Sequence, residues 1–155
     1  MKEEIIMNEI QTKLEALKDA KYKLLLIVGK PGTGKSKLIH DYSSETGNPI
    51  LDLNTIFGEE VPEGSDSQYI TNFMDGFLTT YKPEVLLLDN KRVLYSKNSQ
   101  IDLLSFLKGV SEKKTVIATW NGMITDGNLV HIRSKVPQDL TYPLNSLECE
   151  YILCE

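Results

Sequence analysis

Residues Gly29-Lys30-Pro31-Gly32-Thr33-Gly34-Lys35-Ser36 fit the phosphate-loop pattern G-x-x-x-x-G-K-[ST] at every position, which limits the chain to folds that set a glycine-rich turn between a buried strand and a helix. The flanks supply both partners. Leu24-Leu25-Leu26-Ile27-Val28 is an unbroken apolar run that reads as a strand buried on both faces, and the residues from Lys37 onward read as a helix with Leu38, Ile39 and Tyr42 facing inward. Glycines at 29, 32 and 34 tolerate the crowded or left-handed backbone that turns successive amide N–H groups inward to form an anion nest. The orphan N–H groups and the positive dipole end of the following helix face the same point. A phosphate chain is the ligand this arrangement predicts, contacted by Gly29, Lys30, Pro31, Gly32, Thr33, Gly34, Lys35, Ser36 and Lys37. Lys35 is expected to reach the β and γ oxygens, and the Ser36 hydroxyl to ligate Mg2+.

The rest of the chain alternates helix and strand signals. Ile6, Ile10, Leu14 and Leu17 are spaced for an amphipathic helix within residues 1–20. Gly47-Asn48-Pro49 stops the helix that follows the loop, and residues 50–53 read as the second strand. Residues 54–67 hold Gly58, Pro62, Gly64 and the acidic Glu59, Glu60, Glu63 and Asp66, the composition of an exposed, mobile connection. Tyr69-Ile70, Phe73-Met74, Phe77-Leu78 and Tyr81 recur every four residues and predict a buried helix stripe, ended by Lys82-Pro83. Val85-Leu86-Leu87-Leu88 is the third strand. Ser99 with Asp102 fits a capping box for a helix through Leu103, Leu104, Leu107 and Val110, and residues 115–119 form the fourth strand. Beyond Trp120, residues 129–132 and 149–153 both read as short strands, and the pattern does not decide which joins the main sheet. The alternation predicts one α/β domain over residues 1–155, with a mainly parallel sheet covered on both faces. An N-terminal helix falls in 1–20, a core in 22–145 and a C-terminal strand in 146–155, and active groups should gather at the carboxyl ends of the strands.

A chain of 155 residues suits one such domain. Its net charge of -5 offers no global attraction to DNA or to an anionic membrane, so strong stand-alone nucleic-acid binding is not expected. Cys149 and Cys154 lie an odd number of residues apart, which would put them on opposite faces of a strand and disfavours a disulfide between them. Free thiols suit a reducing compartment. Lys2, Glu3 and Glu4 do not open a secretory signal, and no apolar run approaches the roughly 18 residues of a membrane span, so a soluble cytoplasmic protein is expected. His40 and His131 are isolated in sequence and read as structural.

Leu86-Leu87-Leu88-Asp89 matches the Walker B pattern, an apolar strand ending in an acid, and Asp89 is expected to hold Mg2+ through its water shell opposite Ser36. The interval from Ser36 to Asp89 leaves room for helix, strand, helix and strand at usual lengths, which puts one extra strand between the two motif strands. On these motifs the chain resembles the additional-strand class of P-loop ATPases, which includes the AAA+ and RecA-like families. The resemblance implies ATP with Mg2+, a sheet of about five strands in the order 5-1-4-3-2, and a polar sensor at the end of the fourth strand. That sensor falls on Val116-Ile117-Ala118-Thr119-Trp120-Asn121-Gly122, with Asn121 or Thr119 toward the γ-phosphate or the attacking water. A turn asparagine before glycine is the competing reading of Asn121.

The class places Glu directly after the Walker B aspartate, and this chain has Asn90. An amide cannot take a proton usefully at pH 7, but it can orient water as a Gln does in Ras-type GTPases. The expectation is tight ATP binding with weak or partner-activated hydrolysis. A helical lid of the AAA+ kind is not expected after the fifth strand. Of the two arginines, Arg92 and Arg133, the second follows the sensor strand where the family's arginine fingers tend to be found, although a solvated surface arginine is the preferred reading because most charged residues are exposed. Lys35, Asn90, Asn121 and Arg133 are therefore the candidate catalytic residues. Residues 22–143 also resemble the small P-loop protein of type 3 BREX phage-defence operons, through the loop, Asp89-Asn90 and Thr119-Trp120-Asn121-Gly122. That resemblance implies a nucleotide-dependent switch or assembly subunit working with larger defence-complex proteins in a homo- or hetero-oligomer. A self-sufficient ATPase acting on DNA is opposed by the acidic charge, Asn90 and the missing lid. A small-molecule kinase is opposed by the scarcity of arginine to neutralise a transferred phosphoryl group. The choice between ATP and GTP stays open.

Overall fold

The central strand β1 (Leu24–Gly29) is buried at every residue because it has a neighbour on each edge and a helical layer on each face. The computed structural model describes residues 2–30, 32–51, 67–89, 103–131 and 140–154. Five strands run parallel. β1 lies between β4 (Thr115–Thr125) and β7 (Glu150–Leu153), and β3 (Val85–Leu88) and β2 (Ile50–Leu51) continue beyond β4. The order β7-β1-β4-β3-β2 is the 5-1-4-3-2 arrangement that the resemblance implies, with β7 as the fifth parallel strand.

Side chains alternate across this sheet, as the pleat requires, and divide the core in two. On one face Leu24, Leu26, Val28, Leu86, Leu88, Val116, Ala118 and Trp120 meet Met74 and Leu78 of α3 (Ser67–Leu78) and Phe106, Leu107 and Val110 of α4 (Leu103–Ser111). On the other, Leu25, Ile27, Leu87, Ile117 and Ile152 meet Ile10 of α1 (Lys2–Ala16) and Leu38, Ile39 and Tyr42 of α2 (Lys35–Thr46). Each buried aliphatic side chain contributes about 1.5–3 kcal/mol relative to exposure, so this three-layer packing holds the strand ends at fixed spacing. α1 is further tied to β7 by an ion pair of 3.0 Å between Lys13 and Glu150. α2 stops where expected: Gly47 takes φ +77° and its N–H donates to the Ser43 carbonyl at 2.9 Å.

Three readings are corrected. The aromatic stripe of α3 is only partly inward, because Met74 and Leu78 are buried while Phe73 is 43% exposed. β4 does not end at residue 119. It continues to Thr125 and turns into an antiparallel hairpin with β5 (Asn128–His131), which pairs in turn with β6 (Leu140–Pro143). Asn121-Gly122 is thus interior to a strand rather than a turn. The chain reverses at Asp126-Gly127, both with positive φ, between the paired Thr125 and Asn128, which is the two-residue turn that suits strand twist. Gly122 is needed because a Cβ there would collide with the Val130 carbonyl and the Trp120 ring. Trp120 is fully buried, donates to the Val130 carbonyl at 3.1 Å, and lies 4.7 Å from the His131 ring and 5.8 Å from that of Tyr142. The two late strands also separate: residues 128–131 join the hairpin, and residues 150–153 join the parallel sheet beside β1. Cys149 and Cys154 are free and belong to opposite core faces. Residues 54–66 of the acidic connection and the capping pair Ser99 and Asp102 lie outside the described residues.

Candidate functional site

The loop between β1 and α2 is shaped by two different uses of glycine. Gly32 and Gly34 have φ of +85° and +94°, a left-handed backbone that only glycine adopts cheaply, and Gly34 is the residue from which α2 starts. Gly29 is required for space. A Cβ there would meet Thr33 Oγ1 and would lie 2.5 Å from the Cys154 carbonyl oxygen. Cys154 reaches this point because its N–H donates to the Val28 carbonyl at 2.7 Å, extending the β1–β7 ladder, and its thiol contacts the Thr33 carbonyl at 3.1 Å. The end of the last strand therefore braces the underside of the loop.

Within the loop the Lys30 carbonyl accepts from the Thr33 hydroxyl at 2.7 Å and from Lys35 Nζ at 2.8 Å. Lys35 is only 7% exposed. Burial pushes its ammonium below the usual lysine range, opposed by the nearby Cys154 and Asp89. A cation partly withdrawn from solvent at a helix N-terminus is a local attractor for a polyanion. The Lys30 side chain is exposed, and Lys37 pairs with Asp41 one turn along α2 at 2.9 Å, which leaves their backbone rather than their side chains at the loop. Pro31 lies outside the described residues.

The parallel register brings the second motif to the same place. Leu88 pairs with Ala118 and Gly29 with Asn121, so Asp89, Thr119 and Asn121 lie at the carboxyl edge next to the loop. The Ser36 hydroxyl donates to Asp89 Oδ1 at 3.0 Å. The Thr119 hydroxyl donates to the Asp89 carbonyl at 2.9 Å and lies 3.2 Å from Oδ1. Of the two candidate sensors, Thr119 thus holds Asp89, while Asn121 lies two residues further out, level with the first loop glycine. The Ser36 hydroxyl is a hard oxygen donor of the kind Mg2+ takes, and Asp89 beside it is the acid suited to hold the water shell of that ion. The donor set fits that ion. Asn90, Arg92 and Arg133 lie outside the described residues.

His40 was not legible as a site residue. It sits four residues after Ser36 on α2, with Nε2 3.7 Å from Asp89 Oδ2 and its side chain 64% exposed. The i, i+4 spacing from the motif serine was the available signal. His131, by contrast, is buried against Trp120 and serves the hairpin.

No described helix is long and apolar enough to cross a membrane. A search among curated proteins returned no match. The family model for the ATPase family associated with various cellular activities (AAA) matches residues 25–135, a span running from β1 through both motifs and past the sensor segment. With that span covering most of the 155 residues, the chain belongs to the AAA ATPases and is built around a nucleotide-binding ATPase core.

Proposed function

We propose that this protein binds ATP with Mg2+ tightly, hydrolyses it slowly unless a partner assists, and works as a nucleotide-dependent switch or assembly subunit of a larger complex. The observation that carries the reading is the meeting of Lys35, Ser36 and Asp89 at one edge of the sheet. The loop amides and the α2 N-terminus bind the phosphate chain. Lys35 moves its ammonium from the Lys30 carbonyl to phosphate oxygens, exchanging a neutral acceptor for a charged one. Ser36 and Asp89 hold the dication, and Thr119 fixes the orientation of Asp89. Mg2+, when bound, neutralises charge on the phosphoryl oxygens. Asn121, level with Gly29 in the β1–β4 register, hydrogen-bonds the terminal phosphate or the water beside it in this reading. With Asn90 in the position after Asp89, water is oriented rather than deprotonated, which is the reason for slow turnover.

A switch needs an element whose position follows the terminal phosphate. β4 supplies one, since it runs unbroken from Thr119 and Asn121 into the hairpin at Thr125. The resemblance to the small P-loop protein of type 3 BREX operons supports phage defence as the setting and larger defence proteins as partners. Calorimetric affinity for ATP and ADP, with single-turnover and steady-state hydrolysis on the isolated protein, tests the nucleotide half. Fast unassisted turnover would overturn it. Affinity capture from cells with ATP or ADP present tests the switch half, and equal recovery of partners in both would defeat it.

A further inference from the structure

We propose that the outer edge of β7 is a docking strand for a second copy of this chain, paired antiparallel about Ile152 so that the two sheets join into one. As an account of assembly this rests on the reading above, while its geometry rests on the sheet. β7 ends the parallel sheet on one side, and among the described residues no strand pairs with its outer edge. Backbone groups of successive strand residues point to opposite edges, and the Cys154 N–H points inward to the Val28 carbonyl. Ile152 therefore also turns its backbone groups toward β1, and Tyr151 and Leu153 turn theirs outward. Such a row is a template for a further strand, and β7 has neither the lysine nor the proline that commonly blunts one. The same edge carries Leu153, which is 44% exposed and one of few large apolar side chains open to solvent among the described residues.

The strand is complementary to itself. Centred on Ile152, antiparallel pairing sets Tyr151 opposite the second copy's Leu153, and Leu153 opposite its Tyr151, so that the outward N–H and C=O groups of both residues find partners. These side chains share the face on which Tyr151 packs against the core. With Cβ atoms about 5 Å apart, the ring of one copy covers the exposed leucine of the other. On the opposite face Glu150 falls across from the second copy's Cys154, so no like charges meet, and Glu150 keeps its 3.0 Å ion pair with Lys13 of its own α1. α1 lies over β1 and β7 on that face. A two-fold axis normal to the sheet therefore sets the two α1 helices side by side at roughly 10 Å, the spacing of packed helices. An isologous contact of this kind closes at two copies. It also sends the two phosphate loops to opposite ends of the joined sheet, because β7 runs parallel to β1. Neither copy then completes the other's site, and the contact serves assembly.

Sedimentation velocity of the full chain, from micromolar to submillimolar concentration, tests the contact, and wild type should pass from monomer to dimer. Leu153→Lys puts a charge on the edge, and Leu153→Pro removes an outward N–H at a position where an edge strand accepts proline. Each should raise the dimer dissociation constant by at least about 10-fold while keeping the fluorescence of the buried Trp120. The register is read by combining Tyr151→Cys with Leu153→Cys in one chain. Opposite positions about 5.5 Å apart at Cα lie within disulfide reach, so mild oxidation should give reducible covalent dimers that neither single substitution gives. A wild type that stays monomeric throughout, a dimer that both Leu153 variants leave intact, or a double variant that cross-links no better than the single ones overturns the proposal. ADP calorimetry on the same wild-type sample keeps the two readings apart, since heat of binding from a strictly monomeric protein would sink the docking strand and leave the nucleotide site standing.

Discussion

Replacing Gly29 by Ala isolates the contact between the end of the last strand and the phosphate loop. The added Cβ would lie 2.5 Å from the Cys154 carbonyl oxygen and would also collide with Thr33 Oγ1. The first of these is main chain, held by the Cys154 N–H bond to the Val28 carbonyl, so it cannot rotate away. Overpacking of this kind costs about 1–3 kcal/mol. Displacing β7 also sacrifices the 2.7 Å hydrogen bond and the thiol contact to Thr33, roughly another 1 kcal/mol. Less flexibility in the unfolded chain returns about 0.4–1 kcal/mol. The balance is a loss of about 1–3.5 kcal/mol. With a urea m-value near 2 kcal/mol/M, the unfolding midpoint should fall by about 0.5–1.8 M. Trp120, the one tryptophan and fully buried, reports the transition by fluorescence. Two companion substitutions separate space from backbone conformation. Gly34→Ala meets no atom within 4 Å but must hold φ at +94°, at a cost of about 1–2 kcal/mol. Gly76→Ala meets nothing either, has an ordinary helical backbone in α3, and should stabilise by about 0.5–1 kcal/mol. If Gly29→Ala left the midpoint within about 0.3 M of wild type and nucleotide affinity unchanged, the bracing of the loop by β7 would be refuted.

Lys35→Met should lower ATP affinity by on the order of 10- to 100-fold, the worth of a charge-assisted bond, without loss of stability. Burial lowers the pKa of this lysine, so its charge works against the fold at neutral pH; calorimetry with ATP and a thermal melt check the two halves. Cys149 supplies the pH dependence. Burial raises its thiol to about 12 from an ordinary 9.0, so the folded form holds the proton more tightly than the unfolded form. That contribution is complete below about pH 9 and is lost as the pH climbs toward 12, at up to about 1.4 kcal/mol per pH unit. Urea midpoints measured through that range should fall more steeply for wild type than for Cys149→Ala.

Much of this molecule is written in short-range pattern. The loop from Gly29 to Ser36 is legible because cradling a phosphate needs glycines, a lysine and a hydroxyl within one turn of chain. The strand ending in Asp89 is legible because a doubly covered parallel strand must be apolar until it surfaces. Spacing between those two motifs was enough to place an extra strand between them, while the strand order came only with the family resemblance. The hairpin after Trp120 was readable in principle from Asp126-Gly127 between apolar residues, but the Asn121-Gly122 pair offered a rival turn. Only the buried environment of Gly122, where a side chain has no room, decides between them.

Other features depend on partners far away in the chain. Residues 150–153 pair with β1 because that central strand needs a second edge covered, a demand no local window contains. Cys154 braces the loop only through that pairing. His40, isolated in sequence, read as structural until the β3–β4–β1 register carried Asp89 across to α2. Identity of the phosphate-binding residues is thus a local property, set by steric and hydrogen-bonding needs of a few consecutive residues. Which groups then surround that phosphate is a property of strand order and register, where burial of two apolar faces outweighs any preference of the segments brought together.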